Sequence, residues 1–450
     1  MVGDVLIPSR TERVERGRAA RAVVGRRELG RWDENTRTEN SLDLVLEQSA
    51  TRIPDLVPIR HARMAASPWH YYRGAAAVMA ADLAIGPHTG LTVQLCGDAH
   101  LLNFGLWATP ERALAFDLRD FDETLPAPFE WDVRRLATSL VVAAQATGQA
   151  DRAEPATHAC LRAYRDHLTE FTTAGVLDTW YDITKVDRLL EAFTQPEWRK
   201  RAAVHIDRRS KRRTSQGALE RLTEVVRGRP QITENGRFRV HLDDDERAHA
   251  LRAFKRYRRT LDEHLQHLLD RFGIVDVVRQ VVGVGSVGMR VYLLLLEGHG
   301  GDDPLFLQMK QAVPSVYERH VAPSRHTNHG QRVVTGKRLI QSATDIFVGW
   351  TEADDIHYYV RQFRDMKIIP DNERIAPVLV DFAAACGAVL ARAHARTGDA
   401  VSIGSYIGKG RAFDDAMTTF AVAYAGQNAR DHARLAAAVA AGDVPSGPAW

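Results

Sequence analysis

Apolar and polar residues follow two different spacings along the chain, which predicts a mixed α+β protein. Residues 67–86 form a predicted helix, because Pro68 lies near the start and Gly86 follows the end. A second long helix is predicted over 376–398, where it ends at a glycine. A third is indicated by apolar residues at helical spacing, at positions 131, 133, 136, 140 and 141.

Strand patterns occur in two regions. The segments 91–100 and 112–123 each combine a short apolar run with a polar loop. After Ile274 the helical pattern gives way to a series of strands with one helix among them. The strands are predicted within 277–298, 304–312 and 357–367, and the helix within 330–347.

The composition and charge of the chain limit the classes of protein and of partner to expect. Hydrophobic residues make up 45% of the chain and charged residues 26%, and the net charge of +3 argues for neither a membrane nor a nucleic-acid partner. The three cysteines lie far apart, so we expect neither a disulfide framework nor a zinc knuckle, and a reducing cytoplasm fits. The N-terminus lacks an apolar signal region, and the longest aliphatic run, 291–298, is too short to span a bilayer.

The first group of candidate residues lies in the segment Asp98-Ala-His-Leu-Leu-Asn103. An Asp followed five residues later by an Asn occurs by chance in turns, but it is also the spacing of a phosphotransferase catalytic loop. There the Asp orients a hydroxyl and accepts its proton, and the Asn oxygen binds magnesium. Asp117 and Asp120 are alternative second metal ligands. His100 is a catalytic candidate, since no second His or Cys lies at the spacing of a zinc site.

The second group is a GxGxxG pattern formed by Gly283, Gly285 and Gly288, with Ser286 inside it. In a kinase-like site such a loop joins two strands over the nucleotide phosphates, and the next strand carries a lysine. Lys310 lies in such a strand. A lysine that faces inward from an apolar strand needs anionic partners, which the phosphates and a helix carboxylate would supply. Glu318 is the nearest candidate for that carboxylate.

Two other interpretations of the glycines stay open. In a Rossmann unit the third glycine begins a helix, and Asp303 would bind the ribose, so a helix must follow Gly288 directly. In a plain hairpin the glycines only shape the turn, and Lys310 extends to solvent.

Basic residues form a further pattern. The run 199–216 could bind a phosphate-rich ligand or nucleic acid, although such a run is usually a solvated helix face and no interleaved aromatics support base stacking. Arg73, Arg134 and Arg361 lie beside the motifs, where they are expected to pair with carboxylates or clamp phosphates.

The order of the two groups is the reverse of that in a kinase chain, where the glycine loop and the lysine precede the catalytic loop. A circular permutation would reconcile the two orders, because chain termini lie at the surface and often close together. The helix that contains LARAHA would then lead into the catalytic loop, and the helix that contains EWDVRRLA would follow the metal-binding segment.

Several long segments resemble the bacterial family called domain of unknown function 2252, among them CGDAHLLNFG, FDLRDFDETLP, VVGVGSVGMR, LFLQMKQAVPSVYE and LARAHARTGD. This resemblance extends from about Arg60 to about His432. GDAHLLN, followed by AFDL and EWDVRRLA, also resembles the aminoglycoside phosphotransferase and choline kinase group. That resemblance implies a catalytic base at Asp98, metal ligands at Asn103 and Asp117, and a structural role for Asp132. The chain departs from the group at Cys96, where the group has His.

We therefore expect an α+β, two-lobed, protein-kinase-like fold with a circularly permuted order, a small β-rich lobe and a larger helical lobe. The expected parts are an N-terminal polar helical region (1–60), a catalytic-loop and metal-binding segment (61–150), a helical insert (151–270), a nucleotide-binding β-rich lobe (271–370) and a C-terminal helical part (371–450).

The function expected from this arrangement is transfer of phosphate from ATP to an unidentified hydroxyl acceptor, with Mg²⁺ as cofactor, in the cytoplasm and without a membrane partner. Nucleic acid is a less expected partner that the basic run leaves open. The alternatives are a nucleotide-binding pseudokinase or regulatory protein, and nucleotidyl transfer to a protein.

Overall fold

The computed structural model describes residues 7–236, 238–281, 283–300, 303–363 and 366–448. Within these ranges the chain is mixed α+β, with a larger helical part and small sheets. The first part of the chain contains α1 (Arg10–Val23), α2 (Ser41–Ala50), α3 (Val57–Ala65), α4 (Pro68–Gly74), α5 (Ala76–Ile85), β1 (Thr92–Leu95), β2 (Phe104–Ala108), β3 (Leu114–Leu118), β4 (Leu125–Pro128) and α6 (Glu130–Ala146).

The middle of the chain is helical with a small β-hairpin inside it. Its elements are α7 (Ala153–Phe171), α8 (Val176–Tyr181), α9 (Val186–Glu191), α10 (Pro196–Arg212), α11 (Ser215–Leu222), β5 (Thr223–Val226), β6 (Arg229–Ile232), β7 (Arg239–His241), α12 (Asp244–Arg258) and α13 (Glu263–Leu269). The segment 151–270 is therefore mostly helical, as expected, but it also contributes the hairpin β5–β6 and the edge strand of a larger sheet.

The last part of the chain contains the remaining strands and the C-terminal helices. These are β8 (Gly273–Gln280), β9 (Val291–Glu297), β10 (Pro304–Ala312), α14 (His329–Ile340), β11 (Gly349–Ala353), β12 (Ile356–Gln362), α15 (Asn372–Ile375), α16 (Leu379–Thr397), α17 (Ala400–Ile407) and α18 (Ala412–Ala441). The predicted helix 67–86 is interrupted at Ala75, whose backbone (φ −109°, ψ 39°) is not helical, so that α4 and α5 are separate.

The largest sheet has six antiparallel strands in the order β11-β12-β10-β9-β8-β7. Both of its faces are covered. Leu294 and Leu296 pack in one apolar cluster with α12, whereas Leu293 and Leu295 pack in another with α11. Successive side chains of a strand point to opposite faces, so a strand covered on both sides reads as an uninterrupted apolar run, as in VYLLLL.

The strand β9 decides between the interpretations of the glycine pattern. It begins three residues after Gly288, and no helix follows that glycine directly. The Rossmann interpretation is therefore wrong, because it requires a helix at this position.

The helical part is built around α16, which packs along α7. Within the described ranges, one helical segment, Asn372–Thr397, is long and apolar enough to cross a membrane by length and composition alone. Of its apolar window, 61% is buried inside the protein, as in the core helix of a soluble protein. Burial against α7 explains its apolar character without a bilayer.

Candidate functional site

One cavity of about 390 Å³ is lined by residues from both sequence motifs. The cavity is bordered by the segment that follows β1, by the loop between β8 and β9, and by β10 and the end of β12. The predicted site residues on its wall are Asp98, His100, Asn103, Asp120, Gly283, Gly285, Ser286 and Lys310. Asp117, Gly288 and Glu318, the other three candidates, are not on that wall.

The loop that carries Asp98 is held by buried polar contacts. The carboxylate of Asp132 on α6 accepts hydrogen bonds from the backbone amides of Cys96 (2.7 Å) and Gly97 (3.0 Å). The hydroxyl of Tyr317 donates to the carbonyl of Gly97 at 2.8 Å. Gly97 has a φ of +87°, and a Cβ there would lie 2.3 Å from the carbonyl oxygen of Glu123, so only glycine fits. Asp132 therefore holds this loop in place.

Asp98 faces the cavity beside a buried arginine. Both Nε and Nη2 of Arg135 lie 2.9 Å from Oδ1 of Asp98. Burial raises the pKa of the Asp98 carboxyl, and the charge of Arg135 opposes that rise only in part. The other oxygen, Oδ2, lies 3.7 Å from Nε2 of His100. Asp98 thus combines a fixed orientation with a proton affinity above that of an ordinary carboxylate.

His100 is buried among positive charges. Burial lowers its pKa well below the usual value, and Arg73 and Arg135 lower it further. The imidazole is therefore neutral at physiological pH, and it can accept or donate a hydrogen bond beside Asp98 but supplies no charge.

Asn103 and Asp120 present oxygens that the protein leaves available. The side-chain amide of Asn103 donates to the carbonyl of Asp98, which leaves its own Oδ1 as an acceptor. No donor among the described residues forms a hydrogen bond with the carboxylate of Asp120. Burial would raise the pKa of Asp120, but Lys310 and neighbouring arginines lower it below the usual range, so the group stays ionised.

An amide oxygen and an ionised carboxylate on one cavity wall fit a hard cation such as Mg²⁺, which keeps several waters and takes few protein ligands. Among the described residues, no group of three or more His, Cys, Asp or Glu side chains has the arrangement of a metal site. Asn103 and Asp120 are two oxygen donors on the cavity wall that no hydrogen-bond donor among the described residues occupies.

Asp117, the alternative ligand, lies in a different environment. Its side chain is fully buried, its carboxylate forms an ion pair with Arg392 on α16, and it accepts hydrogen bonds from the amide and the hydroxyl of Ser342, both at 2.8 Å. The amide of Leu118 donates to the second oxygen at 2.8 Å. These donors use the acceptor capacity of the carboxylate, so Asp117 ties β3 to α16 and to the end of α14.

Lys310 is buried on β10, but its partner is not the predicted one. Its ammonium group forms an ion pair with Asp122, which also accepts a hydrogen bond from the hydroxyl of Tyr359 at 2.8 Å. Burial would lower the pKa of Lys310, but the charge of Asp122 raises it above the usual value. The expectation that Glu318 pairs with Lys310 is thus corrected. Glu318 instead caps its own helical turn, where it accepts from the amide of Ser315 at 2.9 Å.

The glycine loop is anchored by two arginines from the N-terminal part of the chain. Nη1 of Arg52 donates to the carbonyls of Gly285 (2.8 Å) and Val287 (2.5 Å), and Nη1 of Arg63 donates to the carbonyl of Gly283 (2.9 Å). The amides of Gly285 and Ser286 donate no hydrogen bond to any described residue. The amides of the loop are therefore available to bind an anion, whereas its carbonyls already accept hydrogen bonds from Arg52 and Arg63.

Gly288 has a structural part in this loop. Its φ is +88°, and a Cβ at this position would lie 2.8 Å from Cβ of Arg52. The glycine thus permits both the backbone conformation and the close approach of the anchoring arginine.

Basic residues outnumber acidic ones on the cavity wall. Five cationic side chains line it (Arg73, Arg119, Lys310, Arg361 and Lys367), against four carboxylates (Asp98, Asp120, Asp122 and Glu123). Burial and the charges of neighbouring arginines lower the pKa of Lys367 well below its usual value. The cavity therefore favours an anionic ligand, which would relieve the repulsion among these groups.

Sequence reasoning missed several of these residues. Arg73 and Arg361 were named beside the motifs, whereas Arg119 and Arg135 lie inside the quoted segments FDLRDFDETLP and EWDVRRLA but were not singled out, and neither was Lys367. Arg134, the third noticed arginine, lies away from the cavity and donates to the carbonyl of Leu29 at 2.7 Å. A position beside a motif is therefore a weak signal, because a helix turns neighbouring residues to different faces.

Comparisons with known proteins give a family but no function. No curated protein and no solved structure matched the chain. A family model described as "Uncharacterized protein conserved in bacteria (DUF2252)" matches residues 52–438, which include every candidate site residue. Because this match covers most of the chain, the protein belongs to the bacterial DUF2252 family.

Proposed function

We propose that this protein is an ATP- and Mg²⁺-dependent phosphotransferase that acts on a hydroxyl acceptor. One observation carries the proposal: the Asp98–Asn103 motif, the glycine loop and Lys310 line a single cavity with an excess of cationic side chains. Residues distant in sequence that converge in this way would supply the parts that phosphoryl transfer requires, namely a base, a cation site and a phosphate cradle.

The phosphate end of the nucleotide would lie against the glycine loop and Lys310. The amides of Gly285 and Ser286 are suited to donate to phosphate oxygens, and the Lys310 ammonium group is suited to neutralise them. Asn103 and Asp120 would bind Mg²⁺, which supplies charge neutralisation on the phosphates when it is bound. Arg119, Arg361 and Lys367 on the cavity wall would offset the remaining negative charge.

Asp98 would orient the acceptor and take its proton. In the transfer, the acceptor oxygen forms a bond to the terminal phosphorus of ATP, and the bond from that phosphorus to the bridging oxygen breaks, with its electron pair leaving on ADP. The acceptor proton passes to the free oxygen of Asp98. A carboxylate held by Arg135 and raised in pKa by burial suits this role.

The fold expectation belongs to the same proposal. An antiparallel sheet with the glycine loop between β8 and β9, a lysine on β10, and a following helix α14 is consistent with the small lobe of a permuted kinase-like protein. The contact of Asp132 with the catalytic-loop amides is consistent with the large lobe. A cytoplasmic location fits the three buried free cysteines.

Calorimetric titration tests the proposal directly. Wild-type protein and the variants Lys310→Met and Asp120→Asn are titrated with ATP, with and without Mg²⁺, and with NAD as an unrelated nucleotide. Lys255→Met is the matched control, because Lys255 is exposed on α12, away from the cavity. We expect Mg²⁺-dependent ATP binding in wild type and control, and at least about tenfold weaker binding in both cavity variants. Equal binding by all four proteins would contradict the proposal.

Labelled ATP then separates transfer from simple binding. Incubation with ATP labelled in the γ- or the α-phosphate, with the protein itself and small alcohols as acceptors, is expected to move only the γ label. Transfer of the α label would replace phosphoryl with nucleotidyl transfer. Binding without transfer of either label, over a broad set of acceptors, would favour a pseudokinase or regulatory protein.

A further inference from the structure

A second cavity, of about 320 Å³, is lined by five arginines. They come from the C-terminal end of α10, the following turn and α11, and they are Arg208, Arg209, Arg212, Arg213 and Arg221. This cavity shares no lining residue with the candidate catalytic cavity. Four of its five arginines belong to the basic run 199–216, which the proposed phosphotransferase function does not use.

The arginines of this cavity have no carboxylate partners within the described residues. Arg213 and Arg221 donate to backbone carbonyls, those of Lys367 and Gly217, at 2.9 and 2.8 Å. Asp207, the acidic residue of α10 that is next to Arg208 in the chain, is 2.9 Å from the ammonium group of Lys211 and pairs with it instead.

No carboxylate among the described residues offsets the repulsion within this cluster, in which Arg208, Arg212 and Arg221 are exposed to solvent and Arg209 and Arg213 are half-buried. Burial lowers the pKa of Arg213, and the charges of Arg209 and Arg221 lower it further. The carbonyl end of a helix favours a nearby cation, which accounts for one or two basic residues at the end of α10. It does not account for five guanidinium groups around one cavity.

We propose that this five-arginine cavity binds an oligophosphate group. Guanidinium groups match phosphate oxygens in bidentate geometry, and five of them suit a ligand with several negative charges, such as a diphosphate or triphosphate. Five arginines around one cavity of about 320 Å³ fit a compact group better than an extended nucleic-acid strand, which is bound along a groove with aromatic stacking platforms.

Because an apolar cavity adjoins the five arginines, two kinds of ligand could carry the oligophosphate group. This cavity, of about 540 Å³, shares Arg208 with the five-arginine cavity, and its apolar wall includes Phe116, Phe193, Trp198, Ile206 and Phe382. A free oligophosphate or nucleotide would use the arginines alone. A phosphorylated amphiphile would place its head at the arginines and its apolar chain in the adjoining cavity.

The cavity is also connected to the catalytic candidate. The carbonyl of Arg213 accepts a hydrogen bond from the amide of Met366 at 2.7 Å, and the Arg213 side chain binds the carbonyl of Lys367. Lys367 lines the candidate catalytic cavity. An oligophosphate bound at the arginines would therefore contact the segment that contributes one of the cations of the other cavity.

The test is calorimetry with pyrophosphate, farnesyl diphosphate, farnesol and a single-stranded oligonucleotide. All proteins carry Lys310→Met, so that phosphate binding in the candidate catalytic cavity does not obscure the result. Into this background we introduce Arg212→Gln, Arg209→Gln or, as the control, Lys200→Gln, since Lys200 is exposed on α10 and lines neither cavity. Ala202→Trp fills the apolar cavity.

We expect pyrophosphate to bind the background protein and the control, and to bind about tenfold more weakly after either arginine substitution. If the natural ligand is an amphiphile, farnesyl diphosphate will bind more tightly than pyrophosphate, and Ala202→Trp will remove that difference. If it is a free oligophosphate, the two probes will bind equally and Ala202→Trp will have no effect.

Two outcomes overturn the proposal. One is pyrophosphate binding that is absent, or that Lys200→Gln weakens as much as Arg212→Gln does. The other is oligonucleotide binding tighter than that of either phosphate probe, which would assign the arginines to nucleic acid. A negative result with pyrophosphate would not change the interpretation of the ATP titrations of the wild-type protein, because the two cavities share no lining residue.

Discussion

The ammonium group of Lys310 and the carboxylate of Asp122 form a largely buried ion pair between residues 188 positions apart in the chain. The pair joins β10 of the six-stranded sheet to the turn that follows β3. Tyr359 on β12 adds a hydrogen bond to the same carboxylate. This contact therefore links the sheet to the segment that carries Asp98, and it lies where the phosphates of a nucleotide are expected.

Removing both partners of this pair should cost less stability than the sum of the two single removals. Lys310→Met leaves Asp122 without its cation and is expected to lower the free energy of unfolding by about 3 kcal/mol. In the double variant Lys310→Met/Asp122→Asn the neutral amide needs no counter-charge, so the loss should be smaller than the sum of the two single losses. Urea unfolding of the four proteins measures the coupling. Additive losses would mean that the pair contributes nothing specific.

Substitutions of Asp117 and Asp120 should have different effects. The first should mainly lower the stability of the fold, and the second should remove the Mg²⁺ dependence of ATP binding. Asp117→Asn leaves the buried Arg392 without its carboxylate partner and is expected to cost about 3–5 kcal/mol of stability, with unchanged Mg²⁺ dependence of ATP binding in the protein that remains folded. Asp120→Asn removes a carboxylate that accepts no hydrogen bond from the described residues but lies near several cations, so we expect a smaller loss of stability than in Asp117→Asn, together with loss of the Mg²⁺ effect.

Thermal unfolding and ATP titration with and without Mg²⁺ are measured on both variants. The reverse result, with Mg²⁺ dependence lost only in Asp117→Asn, would restore Asp117 as the metal ligand.

Asp98→Asn should abolish transfer while ATP still binds. A general base contributes roughly 10²–10⁴-fold to a rate, so a loss of at least 10² in kcat is expected with little change in the dissociation constant for ATP. Because burial raises the pKa of Asp98, the wild-type rate should fall as the pH drops through that raised value, where the base becomes protonated. A variant with near-wild-type kcat would exclude Asp98 as the base.

The spacing of apolar and polar residues predicted a residue's position where that position depends only on the residue's own strand or turn. The strands around the glycine loop and the inward position of Lys310 follow from an apolar run covered on both faces, which sequence spacing reveals. Gly288 was found through the GxGxxG pattern, and the structure shows that its left-handed backbone and its close approach to Arg52 require glycine.

These patterns could not identify contact partners that come from distant segments of the chain. Glu318 was chosen for Lys310 because it is near in sequence, but the true partner, Asp122, is set by how the turn after β3 meets the sheet. Arg135 contacts Asp98 from one turn of α6, while its neighbour Arg134 points to the carbonyl of Leu29. The kinase-like topology and the nucleotide remain predictions.

Glu123 provides the last prediction, which concerns pH. Burial raises the pKa of its carboxyl to about 7 from the ordinary value of 4.5, although a hydrogen bond from the amide of Val316 opposes the rise. Between these two values the unfolded chain has released a proton that the folded protein still holds. Stability contributed by protonated Glu123 is therefore complete below about pH 4.5 and declines as the pH rises towards and through 7.

Glu123→Gln should remove this decline, because the amide does not titrate in this range. We expect the free energy of unfolding of the wild type, relative to that of Glu123→Gln, to fall by about 1–3 kcal/mol between about pH 5 and about pH 8. Urea unfolding at both pH values measures it, with Glu15→Gln as the control, since Glu15 is exposed on α1. A pH dependence that is the same in wild type and Glu123→Gln would show that this carboxyl is ionised in the folded protein throughout the range.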